Sequence, residues 1–357
     1  ALTAREGGLI ALVAPHVRND GVIVARLGRV ALGAADRFTV DLYGDTLINL
    51  ALSEAHVGQL RQANGEPVTS LVDQRGRVEV AGGQAVLLTA RTAKTVLDSL
   101  INLSGTRQAR QRPEGGGKML LLGAGGGGHV GGAGQGRGRT DRAQETTGAA
   151  GATLRANATG TGGGGEVVVW SDGHTDFAGH VEARGGAAGG DGGRMEVSGK
   201  QTLAFLGTAD ASAPAGAAGS LLLDPTTLDI GAAEASVITR VLRTGTSTSL
   251  QADQDINVNA AIFGGDRTAG GGLTLTAGQN INVNDFIVTN DGAINLIATQ
   301  GTVNVMVGKA LFAGAAPISI TAQGNLRTAP LVTGGALSVR SIAGSVAIDS
   351  LIDGRTG

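Results

Sequence analysis

Residues 162–231 read GGGGEVVVWSDGHTDFAGHVEARGGAAGGDGGRMEVSGKQTLAFLGTADASAPAGAAGSLLLDPTTLDIG, and this stretch decides the fold. Three short apolar runs, Val167 to Trp170, Met195 to Val197 and Leu221 to Leu223, each follow a glycine cluster. They recur roughly 26 to 28 residues apart, a period in the solenoid range. A second phrase recurs between them, first as Gly179-His180-Val181-Glu182-Ala183 and then as Gly207-Thr208-Ala209-Asp210-Ala211. Two strand phrases per turn, joined by glycine-rich corners, are what a chain needs to wind into a parallel β-solenoid. On this reading the Val and Leu residues and Trp170 fill a narrow core.

Composition supports a thin core. The 357 residues include 62 glycines but only six Phe, one Tyr and one Trp. A large globular core draws much of its packed area from aromatics, so an elongated core one side chain wide fits better. Seven prolines and no strict Gly-X-Y period exclude collagen, and the many alternating β-branched runs argue against disorder. A formal net charge of −2 supplies no global attraction to nucleic acid or anionic membrane. With no cysteine, neither a disulfide framework nor a thiolate zinc site can form. No apolar run is long enough for a transmembrane helix. The opening, ALTAREGGLIALVAPHV, lacks a basic leader and starts in mid-pattern, as a fragment of a longer protein would.

Outward from the deciding stretch, the same grammar holds. Residues 8–13, 20–25, 28–33 and 36–42 are short alternating runs bounded by Gly, Asn or Asp, and residues 76–80, 85–89, 119–122 and 151–156 repeat the pattern. Two segments read as helices instead. Residues 53–64 offer Ser53 as a cap and Asn64-Gly65 as a stop, and residues 92–102 carry Ala93, Val96, Leu97, Leu100 and Ile101 as one apolar stripe. Asp224-Pro225 should end a strand. Beyond it, Asp255-Ile256-Asn257-Val258-Asn259 and Asn280-Ile281-Asn282-Val283-Asn284 repeat 25 positions apart, and residues 292–298, 301–307, 318–322, 335–339 and 344–348 continue the strands. Stacked in successive coils, Asn257 with Asn282 or Asn259 with Asn284 would form amide ladders. Alternation alone leaves open whether these side chains point in or out. The organisation expected is strand coils over 1–52, coils with helical excursions over 53–112, glycine-rich irregular coils over 113–161 and regular repeats over 162–357. About sixteen coils of roughly 22 residues would make a rod about 75 Å long.

The deciding stretch resembles the repeat signature of large bacterial two-partner-secretion exoproteins, the filamentous haemagglutinin-like adhesins. The resemblance rests on Val169-Trp170-Ser171-Asp172-Gly173, Phe177-Ala178-Gly179, Ala183-Arg184-Gly185-Gly186, Gly189-Gly190-Asp191-Gly192-Gly193, Glu196-Val197-Ser198-Gly199-Lys200 and Leu222-Leu223-Asp224-Pro225. Ala11-Leu12-Val13-Ala14-Pro15, Ala35-Asp36-Arg37 and Leu87-Leu88-Thr89-Ala90-Arg91 resemble the end of that family's secretion-associated domain and the coils just after it, with residues 1–52 expected to close the domain. The family's Asn-Pro-Asn-Gly type secretion motif is absent. The resemblance implies a right-handed parallel β-helix, export through an outer-membrane partner pore, secretion or display at the bacterial cell surface as a filament, and adhesion to cells or to sister fibres. One alternative is a self-assembling extracellular fibre subunit whose exposed end coils stack head to tail. A stalk carrying a distal toxin domain is another.

Parallel β-helices also include polysaccharide lyases and hydrolases, whose chemistry needs clustered carboxylates with a calcium ion or an acid and base. The best cluster for a metal or for catalysis is Asp172, His174 and Asp176, with His180 four residues on. Gly173 interrupts it, and Ser-Asp-Gly is ordinary turn chemistry, so these residues are expected at a surface corner. Other motifs fail on their spacing. Residues 193–201 lack the Ser or Thr of a phosphate loop, and GGAAGGDGG at 185–193 misses the calcium nonapeptide. Arg137, Arg139 and Arg142 lack interleaved aromatics for nucleic-acid stacking. Asn102-Leu103-Ser104 and Asn157-Ala158-Thr159 match glycosylation acceptors, as short motifs often do. The expectation is therefore a structural adhesin segment with no catalytic, cofactor or metal residue.

Overall fold

A computed structural model describes residues 1–5, 9–26, 29–34, 37–40, 48–51, 72–74, 76–81, 85–90, 101–103, 106–110, 118–123, 145–158, 160–171, 173–264 and 270–349. The chain is a parallel β-solenoid. Its spine is one sheet of twelve described strands in chain order, from Leu9–Ala14 through Glu166–Ser171, Arg194–Gly199 and Ser220–Leu223 to Leu337–Ser341. The three apolar runs of the deciding stretch are in register, Val167 beside Met195 and Met195 beside Leu221. Twelve rungs are fewer than the sixteen expected. Coils of 26 to 28 residues between the rungs beginning at Glu166, Arg194, Ser220 and Ser247 contribute to the difference, as does the antiparallel hairpin Arg37–Val40 with Ile48–Ala51 that lies between the rungs Arg29–Ala34 and Ala85–Ala90.

Most described coils carry three strands, not two. In the first half the chain leaves the spine for a second face (Val17–Asn19, Val72–Gln74, Ile101–Leu103, Glu145–Gly148, His174–Phe177, Thr202–Phe205). It then crosses a third, which includes Thr153–Arg155, His180–Glu182 and Thr208–Asp210. The strand missed in the deciding stretch is His174–Phe177. It pairs with Glu145–Gly148 on one side and Thr202–Phe205 on the other, with Thr175 and Phe177 buried. Phe177 stacks on Phe205 with ring centroids 6.0 Å apart.

The core is built of columns. Val169, Val197, Leu223, Leu250, Leu275, Leu296, Ile320 and Val339 lie one above the next through eight rungs. Each fully buried aliphatic side chain contributes roughly 1.5–3 kcal/mol relative to exposure. Ala252, Ala277, Ala298 and Ala322 form a parallel column where the sheet turns. Trp170 is not in the core. Period-two alternation buries Val167, Val169 and Ser171, so Val168 and Trp170 face outward. Ser171 is accommodated inside by a 2.8 Å hydrogen bond with Thr175.

One helix is described, Ala232–Arg243, and it lies where none was expected. Ala235, Val237, Ile238, Val241 and Leu242 form its buried stripe. Glu234 Oε2 accepts from the Gly231 N–H at 3.1 Å, while Arg240 and Arg243 sit at the negative end of the helix dipole. The helix occupies the third face for one coil. Below it that face ends at Thr208–Asp210, and above it a new sheet begins at Ile262–Phe263. The helix expected at 53–64 lies outside the described residues. Most of that expected at 92–102 does too, but its end is corrected: Ile101–Leu103 is a strand, with Ile101 beside Val72 and Asn102 between Asp73 and Thr147. Parallel pairing on both edges overrides the helical stripe there.

Candidate functional site

Charged and polar side chains on a solenoid's outside are brought together by coil stacking, not by sequence proximity. Asn157, Arg155, His180, Glu182 and Thr208 meet this way on the third face. Glu182 Oε2 accepts from Asn157 Nδ2 at 2.6 Å and pairs with Arg155 Nε at 3.0 Å, while Oε1 lies 2.6 Å from His180 Nε2. His180 Nδ1 is hydrogen-bonded to Thr208 Oγ1, and the Arg184 N–H donates to Asn157 Oδ1 at 2.8 Å. The order hydroxyl, imidazole, carboxylate is that of a nucleophile relay. Every contact of Asn157, Arg155 and Thr208 in the set runs from one coil to the next, so the group ties neighbouring coils together. Burial opposes ionisation of Glu182, but the bonds from His180 and Asn157 and the charges of Arg155 and His180 outweigh it and hold its pKa at about 2.

That depression has a sign. A carboxyl lowered from 4.5 to about 2 stabilises the fold fully above pH 4.5, and the contribution is lost as pH falls toward 2. Glu182→Gln should therefore lower stability at pH 7 by about 1–3 kcal/mol after solvent screening and flatten the acid limb of the stability curve below pH 4.5. Urea melts at pH 7, 4 and 3 check it. Equal loss at every pH would assign the effect to packing.

Only part of the cluster of Asp172, His174 and Asp176 falls within the described residues. Asp172 lies outside the described residues. His174 and Asp176 are not at a corner but on the strand His174–Phe177, facing outward, because Thr175 and Phe177 take the inward positions. His174 Nδ1 is 2.7 Å from Thr202 Oγ1 of the next coil. Among the described residues no three His, Asp or Glu side chains converge as metal ligands. Residues 193–201 contain the strand Arg194–Gly199 rather than a loop, and Asp191 Oδ1 accepts from the Ala217 N–H at 2.8 Å. Arg137, Arg139 and Arg142 lie outside the described residues.

The asparagines face outward and form ladders. Asn282 Nδ2 donates to Asn257 Oδ1 at 2.9 Å, Asn257 Nδ2 to Asp229 Oδ1 at 2.7 Å, and Asn284 Nδ2 to Asn259 Oδ1 at 2.9 Å. A second series begins one position before these strands, where Asn280 bonds Asp255 below and Thr302 above. These are staples between coils as well.

A cavity of about 250 Å³ remains, lined by Trp170, Lys200, Asp224, Pro225 and Asp253. It lies along one corner of four successive coils. Trp170 is the penultimate residue of its spine strand, and Lys200, Asp224 and Asp253 each stand first after theirs. The corner backbone is fixed from coil to coil by Lys200 N–H to Ser171 O at 3.0 Å and Gln254 N–H to Thr226 O at 2.8 Å. Among the described residues, Lys200, Asp224 and Asp253 form no ion pair and no side-chain hydrogen bond. Burial and the neighbouring Asp253 raise the pKa of Asp224, and burial with Asp224 and Glu166 nearby raises that of Glu196, against its bond with Ser198. This groove was missed in the sequence because its residues are far apart along the chain. The available signal was a charged residue directly after four consecutive spine strands, at Asp172, Lys200, Asp224 and Asp253. No protein-family model matches the chain, and no curated protein matches it either.

Proposed function

We propose that this chain is a structural segment of a secreted or surface-displayed bacterial adhesin of the filamentous haemagglutinin-like kind, exported through an outer-membrane partner pore and without catalysis of its own. The observation that carries the reading is the spine sheet. Twelve parallel rungs about 4.8 Å apart make an element roughly 50 Å long whose every coil is hydrogen-bonded to the next. Such an element transmits force along its axis and presents its outer faces as a surface. The motifs of residues 162–231 that resemble the family's repeat supply three of those rungs in mutual register.

The outward chemistry supports the same role. Asn257, Asn282, Asp229 and the Glu182 set hold neighbouring coils together, which is the work of a load-carrying rod rather than of a reaction centre. An antibody raised against the chain should label intact source cells or their culture medium, and protease treatment of intact cells should remove the surface signal. Signal confined to the cell interior, or turnover of a polysaccharide by the purified chain, overturns this reading.

A further inference from the structure

We propose that the corner groove of Trp170, Lys200, Asp224 and Asp253 is a binding site for a neutral pyranose unit of a glycan. The chemistry of the lining selects the ligand class. Two carboxylates are acceptors only, and an ammonium is a donor only. A sugar hydroxyl both donates and accepts, so one polyhydroxylated ring satisfies all three groups together. With one ammonium beside two carboxylates the lining presents both signs of charge, which suits a neutral polyhydroxylated ligand better than a simple anion. Trp170 supplies an apolar ring surface, suited to the apolar face of a pyranose.

Size and rigidity agree with this. A volume of about 250 Å³ is below that of sites for drug-sized ligands and suits a single ring. The corner is pre-formed, since the coil-to-coil bonds through Lys200 and Gln254 fix its backbone. The juxtaposition is also unfavourable for the empty fold, because Asp224 is half-buried without a side-chain partner and faces Asp253. A ligand hydroxyl would give this half-buried carboxylate the hydrogen-bond donor it lacks. The groove opens along a corner of the solenoid, so a longer glycan would extend along the axis over neighbouring coils. This inference does not depend on the export route.

Trp170 is the chain's only tryptophan, so its fluorescence reports on the groove directly. The chain is titrated with lactose, cellobiose and N,N′-diacetylchitobiose, with glucuronic acid and phosphocholine as charged probes. A saturable emission change with at least one neutral disaccharide at about millimolar concentration is expected. By calorimetry, Asp253→Ala should weaken that binding about tenfold and Trp170→Ala should abolish it, with Trp170→Phe keeping part of it. Circular dichroism and melting of each variant separate loss of binding from loss of fold, and Asp253, being exposed, provides a variant that leaves the fold intact. No saturable binding of any of the three neutral disaccharides, binding of only a charged probe, or binding unaffected by Trp170→Ala in a folded variant each overturns the proposal.

Discussion

Leu242→Ala should cost about 2–5 kcal/mol and split the unfolding of the solenoid into two steps. Leu242 is fully buried, and a Cβ on Gly264 would meet its side chain at 2.8 Å, so there is no slack beside it into which the structure can relax. The helix Ala232–Arg243 is the only element bridging the third face between Thr208–Asp210 below and Ile262–Phe263 above among the described residues. Its ties run both ways. Arg240 donates to the Gly207 carbonyl at 3.4 Å, and Thr239 Oγ1 accepts from the Phe263 N–H at 3.0 Å. In a solenoid each repeat is stabilised mainly by its neighbours, so weakening one interface lowers cooperativity across it. Hydrogen exchange should accelerate first in residues 208–210 and 262–263, before the spine strand Leu273–Ala277 is affected. A loss below about 1 kcal/mol with a single unchanged transition would show that the spine alone couples the halves.

The helix also shows why part of the fold could not be read in advance. Its stripe of Ala235, Val237, Ile238, Val241 and Leu242 is present in the sequence, but the residue before it is Gly231, not a capping Ser, Thr, Asp or Asn. The cap is made backwards, by Glu234 on the Gly231 N–H, and such a cap carries a weaker signal. The strand His174–Phe177 was hidden for a different reason. It begins after Ser-Asp-Gly, where turn chemistry competes with a four-residue alternation that has only Phe177 as a large apolar member. Where repeat and alternation agreed, the reading was right to the residue, as with Val167 beside Met195 and Leu221, His180 beside Thr208, and Ile256 beside Ile281.

Direction was harder to read than position. The run Val167-Val168-Val169-Trp170 has no polar residue to set its parity, so hydrophobicity alone placed Trp170 inside. Ser171 lies on the inward side with Val167 and Val169, where its buried hydroxyl meets Thr175, and Glu166 lies outward with Trp170. The groove at Trp170 was beyond reach for the same reason, since it needs both the outward direction of that ring and the stacking of four coils. The asparagine ladders lie between these cases. Their spacing was legible, and only the pairing geometry resolved which way they face.

Gly193→Val is expected to cost about 4 kcal/mol or more, which in a thin repeat amounts to local failure to fold. The cause is close packing of backbone on backbone at the corner before the strand Arg194–Gly199. A Cβ at Gly193 would fall deep inside the contact distance of the Gly165 carbonyl oxygen and within 2.9 Å of the Ala183 Cβ. Neither neighbour can give way. The Ala183 carbonyl accepts from the Gly193 N–H at 2.6 Å, and the Gly165 carbonyl accepts from the Arg194 N–H at 3.0 Å, so moving the chain breaks the bonds that set the register of the next rung. Gly163 provides the contrast. Its added Cβ would meet only the Asp191 carbonyl oxygen, at 3.5 Å, an ordinary contact. Gly163→Ala should therefore be neutral, or stabilising by up to about 1 kcal/mol through the lower entropy of the unfolded chain. Gly190→Ala should fall between the two on different grounds, because its φ of +103° strains any side-chain-bearing residue and its Cβ would also press on the Gly162 backbone. Thermal melts of the three variants side by side decide the matter. If Gly193→Val melts no lower than Gly163→Ala, the glycines of this stretch serve flexibility rather than close approach, and the tight corner that seats each rung on the next would have to be abandoned.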